Sequence, residues 1–260
     1  MNTIAKPGRV LILGGTNEAR ELAAALERLG IGVISSLAGR LGQPRLPAGE
    51  VRIGGFGGAK GIARWLAEEQ IAAVVDGTHP FAEQISASAA AACAAADVPL
   101  VRLERPSWTE QPGDRWHRVD DLAVAGELVP RLGHRVMLTI GRQGVSTFAG
   151  DVASWYLIRC IERPDGPLPP AHELLLARGP FTLAGELALV DQHTIDLIVT
   201  KDSGGAAAES KLEAARRRRL PVVVVRRPTH ADVPTVPDVA SVLDWMRTTL
   251  THGSAARRDR

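Results

Sequence analysis

Short, uninterrupted apolar runs alternate along the chain with longer segments whose apolar residues recur every three or four positions. The first run, Arg9–Leu13, stops at Gly14-Gly15, and the segment behind it has one apolar face. That face is formed by Ala19, Leu22, Ala23, Leu26 and Leu29. Continuous runs are typical of strands buried on both sides of a parallel sheet, and the following spacing predicts an amphipathic helix. With the next apolar run, at 31–36, the pattern predicts a βαβ unit.

The same alternation continues to the end of the chain. Further helices are predicted at 61–70, 83–96, 206–218 and 239–250, and further strands at 71–76, 99–103, 135–140, 196–200 and 221–225. Strands that alternate with helices indicate an α/β fold with mainly parallel sheets and helices on both faces. The tail at 251–260 is predicted to be disordered.

Two halves of the chain resemble each other. Thr78 and Pro106 are 28 positions apart, and so are Thr200 and Pro228. Each pair brackets a helix followed by a strand, and a strand that ends in a glycine turn precedes each pair. The sequence therefore predicts two copies of one Rossmann-like α/β unit.

The predicted domains cover 1–108 and 109–250. Open α/β sheets bind their ligands at the carboxyl ends of the strands. Because both halves offer such an end, we expect the active site in a cleft between the two domains.

Composition narrows the class of protein. The 260 residues carry a net charge of +2, which offers no bulk field for nucleic acid or a membrane surface. Two isolated cysteines, Cys93 and Cys160, predict neither a disulfide framework nor a metal site. With no signal peptide and no apolar run of membrane length, a cytoplasmic location is expected. The four arginines at 216–219 fit a helix end better than a nucleic-acid site, because no aromatic residues interleave with them.

Three enzyme classes are disfavoured by missing motifs. Short-chain dehydrogenases pair a tyrosine with a lysine four residues later, whereas the sole tyrosine, Tyr156, has Cys160 at that position. No GxSxG or HExxH pattern is present, which disfavours an α/β-hydrolase and a zinc enzyme.

The first glycine turn is the candidate pyrophosphate site. Glycines let the backbone approach a phosphate, and the free N–H groups of the following helix attract its charge. The usual GxGxxG pattern is altered, since Thr16 and Ala19 replace its second and third glycines. The predicted contacts are Gly14, Gly15, Thr16, Ala19 and Arg20.

The end of the second predicted strand indicates which nicotinamide cofactor binds. NAD enzymes commonly place a carboxylate there to hold the ribose hydroxyls. Here that position carries Ser35 and Ser36, with Arg40 shortly after. Hydroxyls and an arginine suit a 2′-phosphate, so NADPH is favoured over NADH. A solvated surface loop with a stray arginine is the alternative.

A third turn, Gly77-Thr78-His79, ends the buried strand at 71–76. Gly77 and Thr78 are predicted to contact the nicotinamide end of the cofactor. His79 is a candidate catalytic residue, although it equally fits a helix cap.

Two turns of the second half are candidate anion sites. One follows the strand at 196–200 and the other follows the strand at 135–140. Backbone N–H groups, a helix dipole and a cation converge at such turns. The predicted contacts with substrate carboxylates are Gly141, Arg142, Gln143, Thr200, Lys201, Ser203 and Gly204. An ordinary helix cap with a solvated Lys201 is the alternative.

In combination, these segments resemble the precorrin-6A reductase family of cobalamin (vitamin B12) biosynthesis. The resemblance rests on LILGGTNEAREL, SSLAGR, DGTHPFA, TKDSGG, KLEAAR and PVVVVRRP, and it covers nearly all of residues 9–250. It implies a two-domain Rossmann-like fold and NADPH-dependent reduction of one double bond in a polycarboxylate tetrapyrrole. The altered glycine pattern departs from the general dinucleotide fingerprint.

Such a reduction needs one proton besides the hydride. The candidate donors are His79, Lys201 and Asp202, with solvent or a substrate carboxylate as alternatives. Three other functions stay open: another NADPH reductase of a large acidic substrate, a non-catalytic nucleotide or tetrapyrrole sensor, and a tetrapyrrole enzyme without a cofactor.

Overall fold

A computed structural model describes residues 8–39, 46–205 and 208–256, and within them the chain forms two compact units. The first unit contains the chain up to Arg105 and again from Thr229, and the second contains Pro106–Pro228. Each unit is an α/β structure built on a six-stranded sheet whose strands all run parallel. The predicted fold class is thereby confirmed.

The first unit has its sheet in the order β12-β5-β4-β1-β2-β3. Its elements are β1 (Arg9–Leu13), α1 (Asn17–Arg28), β2 (Val33–Leu37), β3 (Glu50–Ile53), α2 (Gly58–Glu68), β4 (Ile71–Asp76), α3 (Glu83–Ala96), β5 (Leu100–Leu103), β12 (Thr235–Val236) and α7 (Val239–Ala256). Leu13, the last residue of β1, lies opposite both Ser36 on β2 and Asp76 on β4. The carboxyl ends of three neighbouring strands therefore meet at one edge of this sheet.

Both faces of the first sheet are covered, as its continuous apolar strands require. Val10 and Ile12 pack with α1 and α7, whereas Leu11 and Leu13 pack with α2 and α3. Successive residues of β1 therefore pack into the hydrophobic cores on opposite faces of the sheet, because side chains alternate across a strand.

The second unit repeats this arrangement in the order β6-β11-β10-β7-β8-β9. Its elements are β6 (Trp116–Val119), α4 (Leu122–Leu132), β7 (Arg135–Thr139), a 3₁₀ helix (Arg142–Phe148), β8 (Trp155–Cys160), β9 (His172–Leu176), α5 (Leu183–Gln192), β10 (Leu197–Lys201), α6 (Ser210–Arg218) and β11 (Val222–Val225). Its central strand β7 has β10 and β8 as neighbours, just as β1 has β4 and β2.

The two halves of the chain exchange their last strand and helix. β6 follows β5 in the chain but pairs with β11, and β12 follows β11 but pairs with β5. The predicted second domain, 109–250, is therefore wrong in its C-terminal part. Residues 229–250 join the first unit because β5 needs a parallel partner and α7 buries Val242 and Met246 there.

The predicted boundaries need two smaller corrections. Trp108 belongs to the second unit, where it is 7% exposed and its backbone N–H donates to Asp202. Helix α7 continues to Ala256, so the segment at 251–256 is helical rather than disordered.

Candidate functional site

The glycine turn after β1 places the N-terminus of α1 at the carboxyl edge of the first sheet. Gly15 is exposed and has φ = +135°, a conformation that L side chains rarely adopt. Thr16 caps α1: its hydroxyl oxygen accepts a hydrogen bond from the N–H of Ala19 (3.1 Å) and donates to the carbonyl of Gly77 (2.8 Å). Arg20 donates to the side chain of Asn17 in the same helix turn. The cap thus ties the helix start to the end of β4.

Gly77 provides the close approach between α1 and the sheet. Its N–H donates to the carbonyl of Leu13 (2.9 Å), and a Cβ on Gly77 would lie 3.0 Å from the Cβ of Ala19. In the general fingerprint the third glycine provides this close packing. Here Ala19 and Gly77 provide it together, which explains why the altered fingerprint is compatible with the fold.

The end of β2 separates two residues that were predicted to act together. Ser35 is 1% exposed, and its hydroxyl finds no hydrogen-bond partner among the described residues. Because side chains alternate along a strand, Ser36 points to the opposite face, where its Oγ lies 3.5 Å from a guanidinium nitrogen of Arg52. Arg40, the other predicted contact, lies outside the described residues. Arg52 itself, on β3, was not predicted.

At the end of β4, a buried aspartate organises the turn. Asp76 is 2% exposed and accepts hydrogen bonds from the backbone N–H (3.2 Å) and the hydroxyl (2.7 Å) of Thr78. Arg102 on β5 pairs with the same carboxylate at 3.5 Å. His79 is exposed, and its Nδ1 accepts from the N–H of Phe81 (3.3 Å). His79 therefore shapes the turn before α3 while its ring stays accessible to solvent.

In the second unit, the turn after β10 is built around a second buried aspartate. Asp202 is 3% exposed and has Arg118 at 3.8 Å and Arg227 at 3.9 Å. Arg227 also donates to the backbone carbonyl of Asp202 (3.0 Å). With an additional hydrogen bond from the N–H of Trp108 (3.3 Å), this carboxylate is enclosed by donors of its own unit.

The remaining residues of that turn differ in their exposure. Thr200 is 1% exposed, whereas Lys201 and Ser203 are half-buried. Gly204 is buried and adopts φ = +63°. Lys201 and Ser203 are therefore the predicted contacts of this turn that solvent reaches.

The neighbouring turn, after β7, leads into a 3₁₀ helix of seven residues. Gly141 is exposed with φ = +78°, and Gln143 is exposed as well. Arg142 lies 3.5 Å from carboxylate oxygens of both Glu162 and Asp165. The predicted cation of this turn is thus already partnered by two acids.

Within each unit, the predicted residues converge at the carboxyl edge of the sheet. In the first unit the turns after β1 and β4 and the end of β2 are adjacent, because these strands are neighbours. In the second unit the turns after β7 and β10 are adjacent for the same reason.

None of the helices in the described part of the chain has the length and apolar character that crossing a membrane requires.

The six parallel strands, the glycine turn and the capped helix define the first unit as an α/β unit of the dinucleotide-binding type. Residues 9–247 match the family model described as precorrin-6x reductase CbiJ/CobK. The chain belongs to this family. It is therefore an oxidoreductase of cobalamin biosynthesis, which implies a nicotinamide cofactor and a tetrapyrrole substrate.

Individual relatives agree along almost the whole chain. A precorrin-6A reductase from Rhodococcus erythropolis is 54% identical over 242 residues, covering 92% of this chain and 98% of that protein. One from Rhodobacter capsulatus is 43% identical over 250 residues, covering 96% and 98%. A solved structure described as CobK precorrin-6A reductase superposes with a TM-score of 0.89 at 43% identity, covering 93% of this chain and 97% of its own.

Proposed function

We propose that this chain uses NADPH to reduce one double bond of precorrin-6A, giving precorrin-6B. The observation that carries the proposal is the turn after β1, where a positive-φ glycine precedes a capped helix at the meeting point of three strand ends. Its relatives by sequence and by structure bear the name precorrin-6A reductase.

The residues of the first unit fit a phosphorylated dinucleotide. Gly14 and Gly15 leave the helix N-terminus open to a pyrophosphate, and Gly77 leaves room beside Ala19. No carboxylate ends β2, where an NAD enzyme commonly has one. When bound, NADPH supplies the hydride for the reduction. We assign the pyrophosphate to the turn at Gly14–Ala19 and the nicotinamide end to Gly77 and Thr78.

The second unit is proposed to hold the substrate carboxylates. Lys201 and Ser203 are half-buried at the turn after β10, so an anion in solvent can reach both side chains. A substrate carboxylate would compete with Glu162 and Asp165 for Arg142. That the macrocycle lies in a cleft between the two domains stays a prediction.

For the proton donor, the three candidates differ in their surroundings. His79 is exposed and Lys201 is half-buried, so both can reach a ligand. Asp202 is enclosed by two guanidinium groups and a backbone N–H of its own unit, so its carboxylate is already engaged in holding the turn. We therefore retain His79 and Lys201 as donors and assign Asp202 to positioning the turn.

Two further predictions stay proposals. Cys93 and Cys160 are both free thiols, in keeping with a cytoplasmic location. Each arginine of the run at 216–218 pairs with an acidic residue of its own unit, which leaves little charge for nucleic acid.

The test is turnover of precorrin-6A with either NADPH or NADH, followed by the cofactor absorbance and the mass of the pigment. We expect one NADPH consumed for each pigment that gains two hydrogens, and much slower reaction with NADH. NADPH oxidation with a different acidic substrate only would indicate another reductase. Tight binding without NADPH consumption would indicate a sensor, and no NADPH affinity would indicate an enzyme without this cofactor.

A further inference from the structure

Arg52 is a rigidly held arginine at the edge of the first sheet. Its two terminal nitrogens donate to the carbonyls of Gly54 (2.6 Å) and Gly55 (2.7 Å). Its guanidinium carbon lies 3.8 Å from the centre of the Phe56 ring and 5.8 Å from that of Trp65. A guanidinium fixed by two carbonyls and an aromatic face loses little conformational freedom when it binds a ligand.

The positive charge of Arg52 is not neutralised by these contacts. Its hydrogen-bond acceptors are neutral carbonyls and a hydroxyl, and no carboxylate pairs with it in the part of the chain that the structure describes. A partly buried cation with only neutral acceptors favours an anionic ligand, because ion pairs gain strength away from bulk water.

The position of Arg52 indicates which anion. Arg52 lies opposite Ser36 in the β2–β3 register, and one of its terminal nitrogens is 3.5 Å from the Ser36 hydroxyl. Ser36 in turn accepts a backbone hydrogen bond from Gly14 of the glycine turn (2.9 Å). In dinucleotide-binding sheets, the end of this second strand faces the 2′ position of the adenosine ribose.

We propose that Arg52, together with the Ser36 hydroxyl, binds the 2′-phosphate of NADPH and sets the preference for NADPH over NADH. This inference rests on the proposed function, since it specifies one subsite of the same cofactor. A guanidinium has five N–H donors, of which the contacts with Gly54, Gly55 and Ser36 use three, so two remain for phosphate oxygens. Hydrogen bonds to a charged group are about twice as strong as neutral ones. An acid at the end of β2 would repel the phosphate, and Ser36 does not.

The experiment compares binding of 2′,5′-ADP and 5′-AMP by titration calorimetry, which needs neither substrate nor turnover. We expect the wild-type protein to bind 2′,5′-ADP more tightly. Arg52→Gln should weaken binding of 2′,5′-ADP at least tenfold and change binding of 5′-AMP less than twofold. Arg52→Lys keeps the positive charge but loses the planar guanidinium with its several N–H donors. Its affinity for 2′,5′-ADP should therefore lie between those of the wild-type protein and Arg52→Gln.

Arg64→Gln is the matched control, because Arg64 lies on α2 with its side chain 76% exposed and pairs only weakly with Glu68, at 3.7 Å. It should leave both affinities unchanged. A melting temperature for every variant separates lost binding from lost folding, and Arg52→Lys keeps the test valid if Arg52→Gln unfolds.

The outcomes distinguish the two proposals. If wild-type protein shows no preference for 2′,5′-ADP, the NADPH proposal fails and the role of Arg52 fails with it. If wild-type protein has the preference and Arg52→Gln keeps it, only the role of Arg52 is overturned. Loss of the preference in Arg40→Ala but not in Arg52→Gln would transfer that role to Arg40.

Discussion

The two units share one strand order but differ in the helix that comes after their central strand. After β1 comes a capped α-helix of 12 residues, and after β7 comes a 3₁₀ helix of seven. A long α-helix aligns enough peptide dipoles to attract a phosphate at its N-terminus, whereas a short 3₁₀ helix does not. We therefore expect that duplication of the fold did not duplicate the nucleotide site.

The same contrast holds one strand further out. In the first unit Ser36 lies opposite Arg52, and at the corresponding place in the second unit Arg159 lies opposite Leu175. Arg159 is 8% exposed and donates to both carboxylate oxygens of Glu186, at 2.9 and 3.0 Å. Arg52 on β3 therefore has only neutral acceptors among the described residues and keeps its charge for a ligand. The charge of Arg159 on β8 is balanced by Glu186 inside its own unit.

The largest expected effect tests this assignment of Arg159. Glu186→Gln leaves the Arg159 guanidinium buried beside the Phe181 ring, 3.9 Å from its centre, without its counter-charge. We expect the free energy of unfolding to fall by about 3 kcal/mol or more, as when one partner of a buried ion pair is removed. Urea denaturation measures it. A loss below about 1 kcal/mol would mean that Arg159 is not held by this pair.

Asp191→Asn provides the control within the same unit. Asp191 pairs with Arg218 at 2.6 Å, but both side chains are about half exposed. An exposed ion pair contributes little to stability because water screens it, so we expect Asp191→Asn to be much less destabilising than Glu186→Gln. If Glu186→Gln is much more destabilising than Asp191→Asn, the effect comes from burial of the ion pair and not from pairing alone.

Apolar patterning was sufficient to predict most of the inner strands and most helices, but it missed the inner strand β8 and the helices α4 and α5. β1, β4 and α3 have the predicted bounds. The two strands were predictable because a strand buried on both faces is a continuous apolar run. The edge strand β3 was not predicted, because its alternating exposure leaves no such run. The exchange of β6 and β12 was not predictable either, since pairing between distant segments leaves no local pattern in the sequence.

The repeat predicted from the sequence is present in the structure, but its two copies were aligned two positions out of register. Asp76 pairs with Arg102, and Thr200 pairs with Val224. Arg102 and Val224 each precede their proline by four positions, so Thr200 corresponds to Asp76 and not to Thr78. Equal spacing along the sequence concealed a longer connection between β4 and β5, which only the strand register reveals.

A second prediction concerns the close packing between Gly77 and Ala19 in the first unit. Gly77→Ala adds a methyl group 3.0 Å from the Cβ of Ala19 and 3.4 Å from the carbonyl of Leu13, so α1 must move away from the sheet. We expect a stability loss of about 2 kcal/mol, in the range of overpacked cores, and a raised KM for NADPH. Denaturation and steady-state kinetics measure the two effects.

Gly126→Ala is the matched control on α4 of the second unit. There the added Cβ would be 3.7 Å from the nearest atoms, those of Thr147, an ordinary contact. We expect unchanged or slightly higher stability, because alanine favours helix more than glycine does. Equal losses in both variants would show that the α1 packing is not special.

Of the predicted cofactor contacts, the glycine turn was predictable from spacing, but the partner of Ser36 was not. Arg52 stands 16 residues after Ser36 in the chain, on an edge strand that the pattern did not indicate. The run Arg52-Ile53-Gly54-Gly55-Phe56 was the available signal, since an arginine before two glycines and an aromatic residue can fold back onto both. Using that signal required knowing that β3 lies beside β2.

The smallest effect is expected at the far end of the 3₁₀ helix, where the second unit again differs from the first. The buried Tyr156 hydroxyl donates to Asp151 (2.6 Å) and so fixes the loop between this helix and β8. Partial burial raises the pKa of Asp151, but hydrogen bonds from the Tyr156 hydroxyl and from the backbone N–H groups of Ala153 and Ser154 outweigh it and hold the pKa below its ordinary value. Burial and the Asp151 carboxylate raise the pKa of Tyr156, so its hydroxyl keeps its proton at neutral pH.

Tyr156→Phe should lower the free energy of unfolding by about 1 kcal/mol at pH 7, the typical contribution of one hydrogen bond. Because the pKa of Asp151 is lower in the folded state, this stabilisation is complete above its unfolded pKa, about 3.9, and is lost as the pH falls through the folded value. The difference between wild-type and variant protein should therefore shrink below about pH 4. Urea titrations between pH 7 and pH 3 measure it, and a difference that stays constant would show that the lost bond does not depend on the Asp151 charge.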